Sequence, residues 1–389
     1  MTSIDRRSLF GVTMAAGSMM ATSMKAHAKF ADDVQLRDQI GELERLPTLG
    51  LESRENYRTA FRKFVNSDLR AAADRRAATI FKEVGLDPNE PASMTQVVKL
   101  LENDPILMSH LHAFLAVQQS MWVDLQDVFH SNADQFLTEM DRSDKAGPGS
   151  LELNPGLKIP DYAAWEIHNM PGGYVGDPFA GHMYHYGTNN FFMHLNEEER
   201  IHKAVANSTP VPTDGKVHRC LDLGTSVGQT ALHLKRRFPD AEVWGIDVGA
   251  PMVRYAHMRA ADLGDNINFA QRLAEDSGFP DNHFDTVTSY LLFHEVSREA
   301  THEIIKEIHR VLRPGGTFYS PEGMFTTTKA KKTAASQWRI WWNDEWCSEV
   351  HYIPYTEYDY EKAFSDAGFE IGSTIGPFGN EYMIGRKKA

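Results

Sequence analysis

Cysteine is nearly missing from this chain. Among its 389 residues there are two, Cys220 and Cys347. Two thiols exclude a disulfide framework and a multi-cysteine metal site. Cys220 falls within an apolar run, where a buried free thiol is expected. Basic charge is scarce as well. There are 40 Lys and Arg against 53 Asp and Glu, a formal net charge of −13, and no long basic run appears. Binding to a phosphate backbone is thereby excluded as the main task, so no nucleic-acid partner is expected. No apolar stretch approaches the ~18 residues that a membrane-crossing helix needs, so no stable membrane anchor is expected either. What the chain does have is apolar material, 42% of all residues, in a length that suits two domains.

The first residues form a three-part pattern. Arg6 and Arg7 stand before a modestly apolar stretch, "LFGVTMAAGSMMATSM", and "KAHA" then places Ala26 and Ala28 at small-x-small spacing. This resembles a twin-arginine export leader over residues 1–28, against the alternative of a disordered basic tail. Periplasmic or exported localisation follows from the resemblance, with the cytoplasm as the alternative.

Residues 29–146 read as a helical N-terminal domain, with helices over 52–84 and 93–142. Asp104 is placed to cap a helix with Pro105 at its first position. Leu107, Leu111, Phe114, Leu115, Met121, Leu125, Val128 and Phe129 then recur at steps of three and four. Residues 147–209 are rich in Gly, Pro, His and aromatics and read as a linker with a substrate-facing segment. From 210 to 389 strands and helices alternate, which implies a mostly parallel sheet covered on both faces. Residues 321–356 interrupt that rhythm.

The stretch "CLDLGTSVGQTALHLKRRFPDAEVWGID" holds the strongest signal. A strand ends in Asp222, a glycine turn opens a helix, and the next strand ends in Asp247. A dinucleotide fingerprint wants G-x-G-x-x-G. Here Gly224 is followed by Ser226 and Gln229 at the matching places, which disfavours a nicotinamide oxidoreductase. Asp222 would repel a pyrophosphate but suits a cationic amine, and Asp247 can accept both hydroxyl protons of a ribose.

That turn resembles the Asp-x-Gly-x-Gly-x-Gly motif of class I S-adenosylmethionine-dependent methyltransferases. "AEDSGFPDNHFDTVTSYLLFHEV" and "IHRVLRPGGTFYSPE" are similar to that family's later motifs in the same order. The resemblance implies an α/β, Rossmann-like, doubly wound sheet of seven strands, mostly parallel with an antiparallel last strand, beside the α-helical N-terminal domain. It implies S-adenosyl-L-methionine as cofactor. Asp222 would lie near the methionine amino group, Gly224, Thr225, Ser226 and Gly228 along the turn, Asp247 at the ribose and Val248 beside the adenine. Ser226 replaces the middle glycine, which ordinary backbone dihedrals would accommodate. Leu273 stands where many relatives have Asp, so adenine recognition falls to the Ala274 backbone and to Glu275 or Asp276.

Methyl transfer from a sulfonium mainly needs alignment and exclusion of water, and a hydroxyl acceptor also needs a proton acceptor. His294 is the first candidate base, with Glu295 beside it; a packing role at a helix start is the competing reading. His185 and Tyr186, with neighbouring Tyr184, are candidate substrate contacts, and Glu322, which follows the fifth strand of the domain, is placed either to face the acceptor or on the surface. His168, His182 and His185 lack the spacing of a metal site, so no metal is expected. Trp338, Trp341, Trp342 and Trp346 share one helical face. They either pack on the N-terminal domain or form a lid, with Trp338 and Trp342 against an apolar acceptor. The expected reaction is methylation of a small apolar or aromatic molecule; the alternative is an exported binding protein that keeps the fold without turnover. The helical N-terminal domain leaves room for a homodimer.

Overall fold

The computed structural model describes residues 49–196, 198–326 and 332–388. Residues 1–28, the leader-like segment, lie outside them. Helices α1 (Leu49–Phe64), α2 (Arg70–Glu83), α3 (Met94–Leu101), α4 (Pro105–Ser131) and α5 (Ala133–Ser143) come first, with a π-turn at Val65–Leu69 between α1 and α2. The Asp104 carboxylate accepts from the backbone N–H of Ile106 at 3.0 Å and of Leu107 at 3.3 Å, which fixes where α4 begins. Its apolar stripe is buried through Leu107, Leu111, Leu115, Met121, Leu125 and Phe129.

Next come β1 (Gly149–Glu152), α6 (Ala180–Phe191) and α7 (Arg200–Ser208). The alternating part contains β2 (Arg219–Leu223), α8 (Gln229–Arg237), β3 (Glu242–Asp247), α9 (Ala250–Leu263), β4 (Ile267–Gln271), β5 (Phe284–Ser289), α10 (Arg298–Val311) and β6 (Leu312–Tyr319). It continues through α11 (Ala334–Trp346), α12 (Tyr352–Glu357), α13 (Tyr360–Asp366), β7 (Phe369–Ile375) and β8 (Glu381–Lys387).

Among the described residues the sheet has eight strands in the order β1-β4-β3-β2-β5-β6-β8-β7, one more than the seven expected. The extra strand is β1, from the stretch read as linker, paired parallel to β4 from Gly149 against Ile267 to Glu152 against Ala270. Four residues flanked by Gly and Pro are too short to show a period, so this strand exists by virtue of the β4 edge it completes. The last strand, β8, runs antiparallel between β6 and β7.

Side chains alternate along the strands and build two cores. Leu221, Leu223, Ile246, Val287 and Phe318 face α10 and α13. Cys220, Val243, Ile267 and Phe269 face α8 and α9. Both cysteines are free and buried, and burial pushes the Cys220 thiol up to about 12. The N-terminal helices do not keep a core to themselves. Met121, Trp122, Leu125 and Phe129 of α4 pack with Met183 of α6 and with Met252, Tyr255 and Met258 of α9. Ala334 and Trp338 of α11 are buried with Phe81, Val97 and Leu101 of α2 and α3.

Candidate functional site

The strand order reverses at β2, whose neighbours are β3 and β5. In open α/β sheets the ligand crevice lies outside the carboxyl ends of the strands at such a point. A crevice of about 580 Å³, open solvent included, lies there. Gly224, Ser226, Asp247 and Val248 line one side. Tyr290, Leu291, Leu292, Glu295 and Val296, which follow β5, line another. Tyr162, Ile167, Tyr174 and Tyr184 close it from the segment between β1 and α7.

The turn after β2 is held from beneath. The Thr225 hydroxyl donates to Asp222 Oδ2 at 2.6 Å, and the Ala231 N–H donates to the same oxygen at 3.1 Å. The Thr225 N–H donates to the Ile246 carbonyl at 2.8 Å, which ties the turn to β3. Asp222 is therefore buried within the turn and is absent from the crevice lining. Burial pushes its carboxyl up to about 7, against the two donors that favour the charged form. Thr225 is buried with it.

Asp247 stands on the wall. Its Oδ2 accepts the Ser226 N–H and its Oδ1 the Gly249 N–H, each at 2.9 Å. Burial raises this carboxyl to about 6, in opposition to those backbone donors. Ser226 does not keep ordinary dihedrals. Its φ is 53°, in the left-handed region that the replaced glycine would have occupied without strain. Gly224, at φ 69°, lines the crevice, whereas Gly228, at φ 78°, serves packing: a Cβ there would stand 2.9 Å from the Phe269 ring.

A supporting glycine escaped the sequence reading. A Cβ on Gly245 would meet Thr225 Oγ1 at 2.6 Å and the Phe269 ring at 2.8 Å. Gly245→Ala is expected to cost roughly 1–3 kcal/mol through overpacking under the turn. Chemical denaturation checks this; an unchanged midpoint would show that the turn is not held this way.

Glu295 is the other charged wall residue. Its Oε1 lies 3.2 Å from His168 Nε2, 3.6 Å from His294 Nε2 and 3.0 Å from the Tyr174 hydroxyl, which donates to it. Burial alone would raise Glu295; His168 and His294 hold it below the usual carboxylate range. His168 Nδ1 lies 3.2 Å from Glu349, and His294 Nδ1 lies 3.0 Å from Glu322. Burial would lower both rings, but the flanking carboxylates keep His168 up at about 10 and raise His294 too. Glu322 is buried, so the surface position open to it in the sequence is not the one it takes. It also accepts the Phe293 N–H at 3.0 Å. His294 stands behind Glu295 and off the crevice lining.

Other expected contacts fall elsewhere. Of the "GHMYHYG" stretch, Tyr184 reaches the crevice beside Ser226. His185 is buried against the Tyr255 hydroxyl at 2.8 Å, and Tyr186 packs near Phe129. Helix α6 turns those two faces inward because its small residues press on neighbours: a Cβ on Gly187 would meet the Trp122 ring at 2.2 Å. Trp338 and Trp342 pack on the N-terminal helices, with Trp342 edge-on to Phe114 at 5.1 Å, and neither lines the crevice. Ala274 packs against the sheet core, and Glu275 accepts the Tyr162 hydroxyl at 2.7 Å, so Glu275 reaches the crevice wall through that ring. The aromatic wall of Tyr162, Tyr174 and Tyr290 was missed; for Tyr162 and Tyr174 the one sequence signal is the aromatic density of 161–192, which carries no period.

Residues 220–316 match the methyltransferase domain family. The demethylmenaquinone methyltransferase of Thermus thermophilus is 40% identical over 98 residues, which make up 25% of this chain and 44% of that protein. The ubiquinone/menaquinone biosynthesis C-methyltransferase of Desulfotalea psychrophila is 32% identical over 140 residues, 36% of this chain and 53% of that protein. The chain thus spans about half the length of the curated relatives it matches. The YcgJ protein of Bacillus subtilis, a solved structure, superposes with a TM-score of 0.31 at 21% identity, covering 48% of this chain and 99% of that one.

Proposed function

We propose that the chain is an S-adenosylmethionine-dependent methyltransferase that acts on a small, apolar or aromatic acceptor. The observation that carries this reading is Asp247. Its carboxylate ends β3 on the wall of a crevice at the reversal of strand order, next to a glycine turn whose backbone is exposed to that crevice. A carboxylate there can take both ribose hydroxyls, and Gly224 lets the methionine part come close to the backbone. Val248 and Tyr162 would flank the adenine.

The acceptor side is apolar apart from one end. Tyr184, Tyr290, Leu291 and Leu292 would hold a flat or greasy molecule, and Glu295 with His294 behind it marks where a reacting heteroatom would be placed. The cofactor supplies an activated methyl carbon when bound. The chain's residues then align nucleophile, carbon and sulfur, and keep water out. The family match over residues 220–316 supports the same reading.

Calorimetry on the full chain with S-adenosylmethionine, S-adenosylhomocysteine and NAD tests it. Micromolar binding of the first two and none of NAD is the expected result. Binding of NAD alone, or of none of the three, would sink it. A metabolite gaining one methylene in mass then identifies the acceptor.

A further inference from the structure

The polar end of the crevice is assembled from chain segments far apart in sequence. His168 comes from the turn before the tyrosine-bearing loop, His294 and Glu295 follow β5, Glu322 follows β6, and Glu349 follows α11. One ligand atom each from His168, His294 and Glu295 lie within 4.8 Å of one another. We propose that these three side chains bind one divalent first-row transition ion at the acceptor end of the crevice.

The first argument is aim. Both imidazoles present Nε2 to the same oxygen, Glu295 Oε1, at 3.2 and 3.6 Å. Both have Nδ1 held by a separate carboxylate, Glu349 at 3.2 Å and Glu322 at 3.0 Å. Metal-bound histidines have this arrangement, in which the outer carboxylate fixes tautomer and ring orientation. The third ligand has its own outer partner in the Tyr174 hydroxyl, 3.0 Å away.

Spacing agrees. Ligands about 2.1 Å from a zinc-sized ion stand roughly 3.0 Å apart at a right angle and roughly 3.4 Å apart in a tetrahedron. The two distances to Glu295 lie close to that range. Two nitrogens and one oxygen select transition ions over magnesium or calcium, which take oxygen cages.

Charge and accessibility complete the case. Three carboxylates surround two imidazoles in a mostly buried place, with side-chain exposures of 22% for His168, 11% for His294 and 15% for Glu295. A dication would balance that cluster in place of protons. Three protein ligands leave at least one position open, and Glu295 faces the crevice, so the open side meets an acceptor's oxygen or sulfur. The His168 backbone is pinned for this: φ is 57°, and its carbonyl accepts from Gln118 Nε2 at 2.5 Å and Trp122 Nε1 at 2.9 Å. Left-handed residues held by their surroundings cluster at functional sites. The ligand set stands on these side chains alone; that the open side meets an acceptor rests on the methyl-transfer reading.

The test uses the full-length chain, stripped with EDTA and titrated with Co²⁺ and Zn²⁺. One equivalent of Co²⁺ should give a visible d–d band that Zn²⁺ displaces. His168→Ala and His294→Ala should each weaken Zn²⁺ binding roughly 100-fold, and Glu349→Gln roughly 10-fold. Circular dichroism of each variant separates lost ligation from lost fold, and the wild-type Co²⁺ band decides even where a variant does not fold. Absence of stoichiometric uptake, or uptake unchanged in both folded histidine variants, overturns the site and leaves a buried ion-pair network. S-adenosylhomocysteine affinity, measured on the stripped protein, reports on the cofactor reading separately.

Discussion

Replacing Asp247 by alanine should weaken S-adenosylhomocysteine binding by on the order of 100-fold or more. Two hydrogen bonds from ribose hydroxyls to a charged acceptor contribute about 1.5–3 kcal/mol each, and about 1.4 kcal/mol is a factor of ten. The carboxylate also holds the Ser226 and Gly249 N–H groups, so its loss loosens the turn as well. Asp247→Asn keeps the shape and one good acceptor, and should lose roughly tenfold. Only the ionised form accepts both ribose protons. Since burial raises this group to about 6, affinity should be flat at pH 7 and above and decline as pH falls below about 6. Calorimetry of wild type and both variants across that range checks all of this. Equal affinity in Asp247→Ala would remove the ribose from this wall.

The second large effect lies behind the turn, in Glu199. This buried carboxylate, just before α7, pairs with Arg259 of α9, accepts from Gln229 Nε2 at 3.0 Å and lies 3.1 Å from His233 of α8. Burial alone would raise it; Arg259, His233 and His185 instead hold it far below the usual carboxylate range. Removing one member of such a pair leaves the other charge buried and unbalanced, at about 3–5 kcal/mol. Glu199→Ala should lose that much stability in urea at pH 7, and Glu199→Gln nearly as much. A carboxylate with a depressed folded value stabilises above its unfolded value and loses that contribution as pH falls through the folded one. The gap between wild type and variant should therefore persist through mildly acidic conditions and close only in strong acid. A loss below about 1 kcal/mol would show that water, not Arg259, balances this charge.

The sheet was legible because its strands are apolar runs that end in turn residues and are separated by amphipathic helices. β3 ends at Asp247, where the pattern ends a strand. The turn could be located too, but its inner workings could not. Whether Asp222 faces ligand or backbone depends on where the Thr225 hydroxyl and the Ala231 N–H point, and neither direction has a local signature. Residues 147–209 defeated pattern reading for a different reason. β1 is stabilised by the β4 edge, and α6 carries Gly and Asn, which favour other conformations until Trp122 and Tyr255 press against the helix. His168 shows why a metal-like trio eluded the spacing rules. Its partners His294 and Glu295 lie more than a hundred residues on, and tertiary contact alone joins them. The tryptophan face was visible, and its partners, the N-terminal helices, were one of the two candidates.

The strand gained from the Gly- and Pro-rich stretch bears on how this chain could be divided. A fragment excised at residue 210, where composition invites a cut, would lack β1 and three of the crevice tyrosines, Tyr162, Tyr174 and Tyr184. It would also bare the oily flank of Met252, Tyr255 and Met258 to water. Such a fragment would sooner self-associate than work, so the smallest autonomous unit reaches back into the helices that precede the sheet.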